Sequence, residues 1–128
     1  MEFTVNDEYE TLTLDRTAIL RFLTENPAEI RQFGVRKIGL FGSYARNEQT
    51  ETSDIDFLVE FYPAEKSYDH FIGLIDFLEY HLNRSVEVVT LQSLSPFLVD
   101  HIEKDLCYGE GIHFGQRSSG SLLHQVQL

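Results

Sequence analysis

Between Leu14 and Glu25 the apolar residues Ile19, Leu20, Phe22 and Leu23 fit a helix face better than a strand, which predicts a first helix ending near Asn26. Asn26-Pro27-Ala28-Glu29 then predicts a new start, with Asn26 as N-cap, Pro27 at the first helical position and Glu29 three residues past the cap. Gly34 is placed to close that helix. Val35 to Phe41 is the first predicted strand; Gly42-Ser43 follows at its carboxyl end, leading into a short helical turn through Tyr44 to Asn47. The polar run Glu48 to Ser53 predicts a loop, and Asp54 to Phe61 a second strand that stops at Pro63, whose missing N–H suits a strand end. From Ser67 to Leu82, Phe71, Leu74, Ile75, Leu78 and Leu82 recur at three- and four-residue intervals and predict an amphipathic helix. Ile72, Phe77 and Tyr80 fall outside that stripe and are expected to widen the buried face, the alternative being a partner surface. Ser85 to Thr90 reads as a third strand and Pro96 to Leu106 as a last helix.

Side chains alternate along a strand, so Asp54 and Asp56 project one way while Ile55, Phe57, Val59 and Phe61 project the other. One face packs and the other carries charge. Two carboxylates so close repel each other, and holding both ionised favours a hard cation with oxygen ligands, Mg²⁺ shared with substrate phosphates being the natural occupant. Gly42 lets the backbone approach a ligand closely, so its N–H groups and the Ser43 hydroxyl can meet phosphate oxygens. Together these residues point to nucleotide chemistry. In the third strand Val86 and Val88 face one way and Glu87 the other. If the second and third strands are neighbours, Glu87 stands one strand over from Asp54 and Asp56; the pattern alone leaves it either a third carboxylate of the site or an ordinary solvent-facing glutamate.

Composition narrows the function classes. A chain of 128 residues with 42% apolar residues builds one core and leaves no room for a second substrate-binding domain. No run of about 18 apolar residues occurs and the start is acidic, so neither a membrane span nor a signal peptide is supported and a cytoplasmic protein is expected. The formal net charge of −11, with scattered basic residues, argues against nucleic acid as the main partner and suits a basic protein. The single cysteine, Cys107, is expected to be a buried small hydrophobe. His70, His81, His101, His113 and His124 lack metal-ligand spacing. Residues 115–128 contain no acidic residue and open in linker-like order, so they are expected to lie outside the domain as a flexible tail. The domain is expected over 12–110, after an N-terminal extension of residues 1–11.

The motifs Leu40-Phe41-Gly42-Ser43-Tyr44-Ala45-Arg46, Ser53-Asp54-Ile55-Asp56-Phe57-Leu58-Val59 and, more loosely, Val86-Glu87-Val88-Val89-Thr90 resemble those of the nucleotidyltransferase superfamily that includes polymerase β. More narrowly the chain resembles the minimal nucleotidyltransferases, small proteins often paired with a HEPN-type toxin. The family usually has Asp where this chain has Glu87. The resemblance implies an α+β, two-layer fold: a small mixed β-sheet of three or more strands with helices packed on one face. It implies that AMP moves from ATP to a hydroxyl, in the family often a tyrosine of the cognate HEPN RNase, which silences the toxin, and that antitoxin and toxin form a hetero-oligomer. Asp54, Asp56 and Glu87 would then be the catalytic and Mg²⁺-binding residues, Gly42 and Ser43 would grip the β and γ phosphates, and Arg46 would either steady leaving-group charge or cap the short helical turn at the surface. Tyr44 is expected to pack. Two other functions stay open: a binding module that neutralises a toxin by contact alone, for which Glu87 speaks, and AMP transfer to a small molecule such as an aminoglycoside, which usually needs a further domain.

Overall fold

A computed structural model describes residues 14–108. The N-terminal extension, the tail at 115–128, Gly109, Glu110, His113 and His124 lie outside the described residues. The order of elements is α1 (Arg16–Glu25), α2 (Pro27–Arg31), β1 (Val35–Phe41), β2 (Ile55–Phe61), a 3₁₀ turn (Pro63–Glu65), α3 (Tyr68–Leu82), β3 (Val86–Thr90), a second 3₁₀ turn (Leu91–Ser93) and α4 (Pro96–Glu103).

Local chemistry sets most of these limits. Asp15 caps α1 by accepting from the Ala18 N–H at 3.0 Å. Asn26 does not act as the side-chain N-cap of α2 that the sequence predicts; its Nδ2 instead donates back to the Phe22 carbonyl at 2.8 Å, closing α1. Gly34 does end the α2 segment, at φ +79°. Ser67 caps α3 at its start, and Asn83, left-handed at φ 57°, turns the chain from α3 into β3.

The strands form one mixed sheet in the order β1-β2-β3. β1 and β2 are antiparallel; β2 and β3 are parallel, joined by the α3 crossover that such a pairing requires. Ile38 and Leu40 of β1 and Ile55, Phe57, Val59 and Phe61 of β2 pack with Ile19 and Leu23 of α1, Ile30 of α2 and Leu74 and Leu78 of α3 in the main core, which is the two-layer arrangement expected. The other sheet face is apolar in part: Leu58 and, less buried, Phe41 and Val89 lie with Leu91, Leu94, Val99 and Ile102 in a smaller cluster under α4. Phe77 is half-buried and stacks with Phe22 and Phe33, widening the face of α3 as expected, whereas Tyr80 is 82% exposed. Cys107 is half-buried against the main core, and its backbone exchanges two bonds of 2.8 Å with Leu40 on the open edge of β1. Among the described residues no helix is long and apolar enough to cross a membrane.

Candidate active site

β1 runs antiparallel to β2 and β3, so the end of β1 meets the beginnings of the other two. The registers fix the meeting point: Phe41 pairs with Asp56, and Asp56 with Glu87. Asp56 therefore lies between the strand that delivers Gly42-Ser43 and the strand that delivers Glu87. Its neighbours Ile55 and Phe57 are fully buried in the main core, which pins β2 and forces Asp56 onto the opposite face. Asp54 precedes β2 and is exposed, Asp56 is half-buried and Glu87 is exposed.

The charges of this group are coupled. Burial first, then the field of Glu87 and that of Asp54, push the Asp56 carboxyl up from 3.8 to about 6; a hydrogen bond with Glu87 adds to the rise and the Arg46 guanidinium opposes it. Clustered carboxylates on a sheet face cost stability unless a proton or a cation sits among them. The donor set is all oxygen, which fits a hard divalent ion. Among the described residues no group of three or more His, Cys, Asp or Glu side chains is placed to hold a metal ion. Asp56 and Glu87 stand side by side in the register of β2 and β3.

Gly42 has φ +80°, where side-chain-bearing residues are strained, and a Cβ there would run into the Asp56 carboxylate, 3.1 Å from its Cγ. Only glycine brings the backbone this close to the carboxylate. From Ser43 to Asn47 the chain turns tightly, with the Arg46 N–H donating to the Gly42 and Ser43 carbonyls at 3.2 and 3.1 Å and the Glu48 N–H to Ser43 at 2.9 Å. The segment is a turn rather than a regular helix. Tyr44, only 2% exposed, packs in the main core as expected. Ser43 is half-buried, and among the described residues no partner is recorded for its hydroxyl.

Residues 22–108 match the nucleotidyltransferase domain family. The chain belongs to that family. The match spans both acidic strands and the Gly42-Ser43 turn, so this nucleotidyltransferase has its motif residues gathered at one end of one sheet. It is 40% identical over 98 residues to the protein adenylyltransferase MntA of Thermococcus cleftensis, a span covering 76% of this chain and 96% of that one. It is also similar to a solved candidate minimal nucleotidyltransferase, at TM-score 0.63 and 27% identity over 73% of this chain and 95% of that chain. A toxin–antitoxin complex solved with AMP-PNP is similar at TM-score 0.54 and 26% identity, over 77% of this chain and 76% of that chain. The fold and the minimal nucleotidyltransferase membership expected from the motifs stand.

Arg46 is exposed and held by two acids, Nε donating to Glu48 at 2.9 Å and Nη1 to Asp105 at 2.6 Å. Sequence reading missed both contacts, and also Arg16, whose Nη1 donates to the Ala45 carbonyl at 3.1 Å and braces the same turn from α1. Glu48, two residues from Arg46, carries a local signal; Asp105 and Arg16 carry none, because only the fold brings them to the turn. Two of the described histidines serve elsewhere: His70 Nδ1 meets the Glu65 carbonyl at 2.6 Å, and His81 stacks on Phe22 and Phe77; His101 is exposed on α4.

Proposed function

We propose that this nucleotidyltransferase moves AMP from ATP to a tyrosine hydroxyl of a cognate HEPN-type toxin, and so acts as an antitoxin in a hetero-oligomeric pair. The observation that carries the reading is the register of Asp56 with Glu87 beside the Gly42-Ser43 turn, which brings the two carboxylates and the Gly42 backbone close together. Similarity to a protein adenylyltransferase over nearly its whole length supports AMP as the group transferred, and similarity to a toxin–antitoxin complex holding AMP-PNP supports the nature of the partner. The net charge of −11 suits a basic ribonuclease.

Asp54, Asp56 and Glu87 would hold Mg²⁺ together with oxygens of the triphosphate; when bound, the ion neutralises charge on the phosphates and lowers the pKa of the acceptor hydroxyl. Gly42 and Ser43 would hold the β and γ phosphates through backbone N–H groups and the hydroxyl, placing the α phosphorus over the carboxylates. The acceptor oxygen attacks that phosphorus in line, the bond to the bridging oxygen of pyrophosphate breaks, and Glu87 or Asp56 takes the acceptor's proton. Arg46 would stabilise charge on the departing pyrophosphate. Residues 12–110 would form the transferase domain, working in the cytoplasm, where ATP is abundant.

The test is the intact mass of the purified toxin after incubation with this chain, ATP and Mg²⁺, beside the Asp56→Ala variant. A gain of one or more AMP units with the wild type and none with the variant supports the transfer. An unmodified toxin bound equally tightly by both forms contradicts it and makes the chain a contact inhibitor.

A further inference from the structure

Asp105 stands outside every motif that carries the transferase chemistry, yet its carboxylate binds the guanidinium of Arg46 on the phosphate turn. That turn belongs to a connection between β1 and β2 with no regular structure; Tyr44 and Ala45 anchor it in the core, and side-chain ties hold its exposed residues. Arg16 holds one side through the Ala45 carbonyl. Asp105 holds the other, and its own place is fixed in turn. Its N–H donates to the Ile102 carbonyl at 3.0 Å, and two residues on, Cys107 exchanges both backbone bonds with Leu40. Leu106 and Tyr108 lie against Gly39, 2.8 and 2.9 Å from where a Cβ would sit. The carboxylate is thus tied to β1, the strand that leads into Gly42-Ser43.

With Nε on Glu48 and Nη1 on Asp105, the guanidinium plane is held by two acids, and Nη2 is the nitrogen left to meet an anionic oxygen. We propose that Asp105 is a positioning residue for the nucleotide: through Arg46 it aims Nη2 at the triphosphate of ATP and couples the segment after α4 to the phosphate turn. The inference rests on the transferase reading of Arg46, and its test is separable from that reading because nucleotide binding is measured without any toxin.

The experiment measures equilibrium binding of a non-hydrolysable ATP analogue with Mg²⁺, together with KM and kcat for ATP in transfer, for wild type, Asp105→Asn, Arg46→Ala and the double variant. Asp105→Asn is expected to weaken analogue binding about tenfold and to lower kcat/KM by at least as much, because Arg46 would meet both the bound triphosphate and the departing pyrophosphate. In the Arg46→Ala background the same change is expected to add nothing further. Equal and additive losses in both backgrounds, accompanied by a lower melting temperature, would mean that Asp105 only supports the fold and would overturn the proposal. Tighter analogue binding by Asp105→Asn would overturn it too, because Asp105 would then be competing with phosphate for Arg46. A wild type that binds no analogue overturns both this proposal and the transferase reading. A wild type whose binding depends on Asp105 but that never modifies the toxin upholds the positioning role and removes the proposed acceptor.

Discussion

Asp56 and Glu87 are direct register partners on the parallel strands β2 and β3. Two acids that would each be unremarkable on a solvated sheet face come together because the α3 crossover sets their strands side by side. Burial and the charges of Glu87 and Asp54 hold the Asp56 carboxyl at about 6. A carboxyl raised in this way contributes stability that is fully present below its unfolded value and lost as pH rises through its folded value. With divalent ions chelated, the wild type is expected to lose melting temperature between about pH 4 and pH 7 relative to Asp56→Asn, which titrates no proton at this position. Millimolar Mg²⁺ at neutral pH should raise the wild-type melting temperature and leave that of the variant unchanged. Thermal melts across this range check both; a difference between wild type and variant that stays constant from pH 4 to pH 7 without metal would contradict the first.

Gly42→Ala tests the closeness of the turn to the carboxylate. The new Cβ meets Asp56 at a backbone angle that disfavours any side chain, so the variant is expected to lose about 1–3 kcal/mol of stability and transfer activity by about a hundredfold. Chemical denaturation and steady-state kinetics measure the two losses. Activity within a few-fold of wild type would show that the phosphates do not sit on this turn.

Much of this arrangement was legible in the sequence, and the exceptions have a common cause. The alternation that buries Ile55, Phe57 and Val59 fixes the direction of Asp56, and the run Val35 to Phe41 places Gly42 at a strand end. Period and turn chemistry are local, so they survive in one dimension. The meeting of Glu87 with Asp56 depends on the strand order, which hydrophobic spacing does not encode; the motif resemblance implies it, and the register gives its geometry. Asn26 was misread because an Asn between two helices can serve either end, and here the Phe22 carbonyl takes it. The contact of Arg46 with Asp105 spans 59 residues and depends on the path of the chain after α4. The cluster of Leu58 with Val99 and Ile102 escaped for the same reason, since an amphipathic helix does not announce which sheet face it covers.

Glu87 offers a test of the longer acid arm. Glu87→Gln removes one of the charges that raise Asp56, so the acidic limb of the activity profile is expected to shift to lower pH while kcat falls by roughly tenfold to a hundredfold. Glu87→Asp keeps the charge and should retain more activity than Glu87→Gln. The pH dependence of kcat for the three forms checks this, and an unshifted limb in Glu87→Gln would separate Glu87 from the titration of Asp56.

Under the proposed function, a phosphorus from the α position of ATP ends on the toxin through the site of Asp56. The most direct measurement incubates the toxin and this chain with ATP labelled at either the α or the γ phosphate, then follows label on the toxin for the wild type and for Asp56→Ala. The expected result is transfer of the α label alone, on a tyrosine, with none from the variant. Incorporation of the γ label, or of α label undiminished in Asp56→Ala, would contradict it.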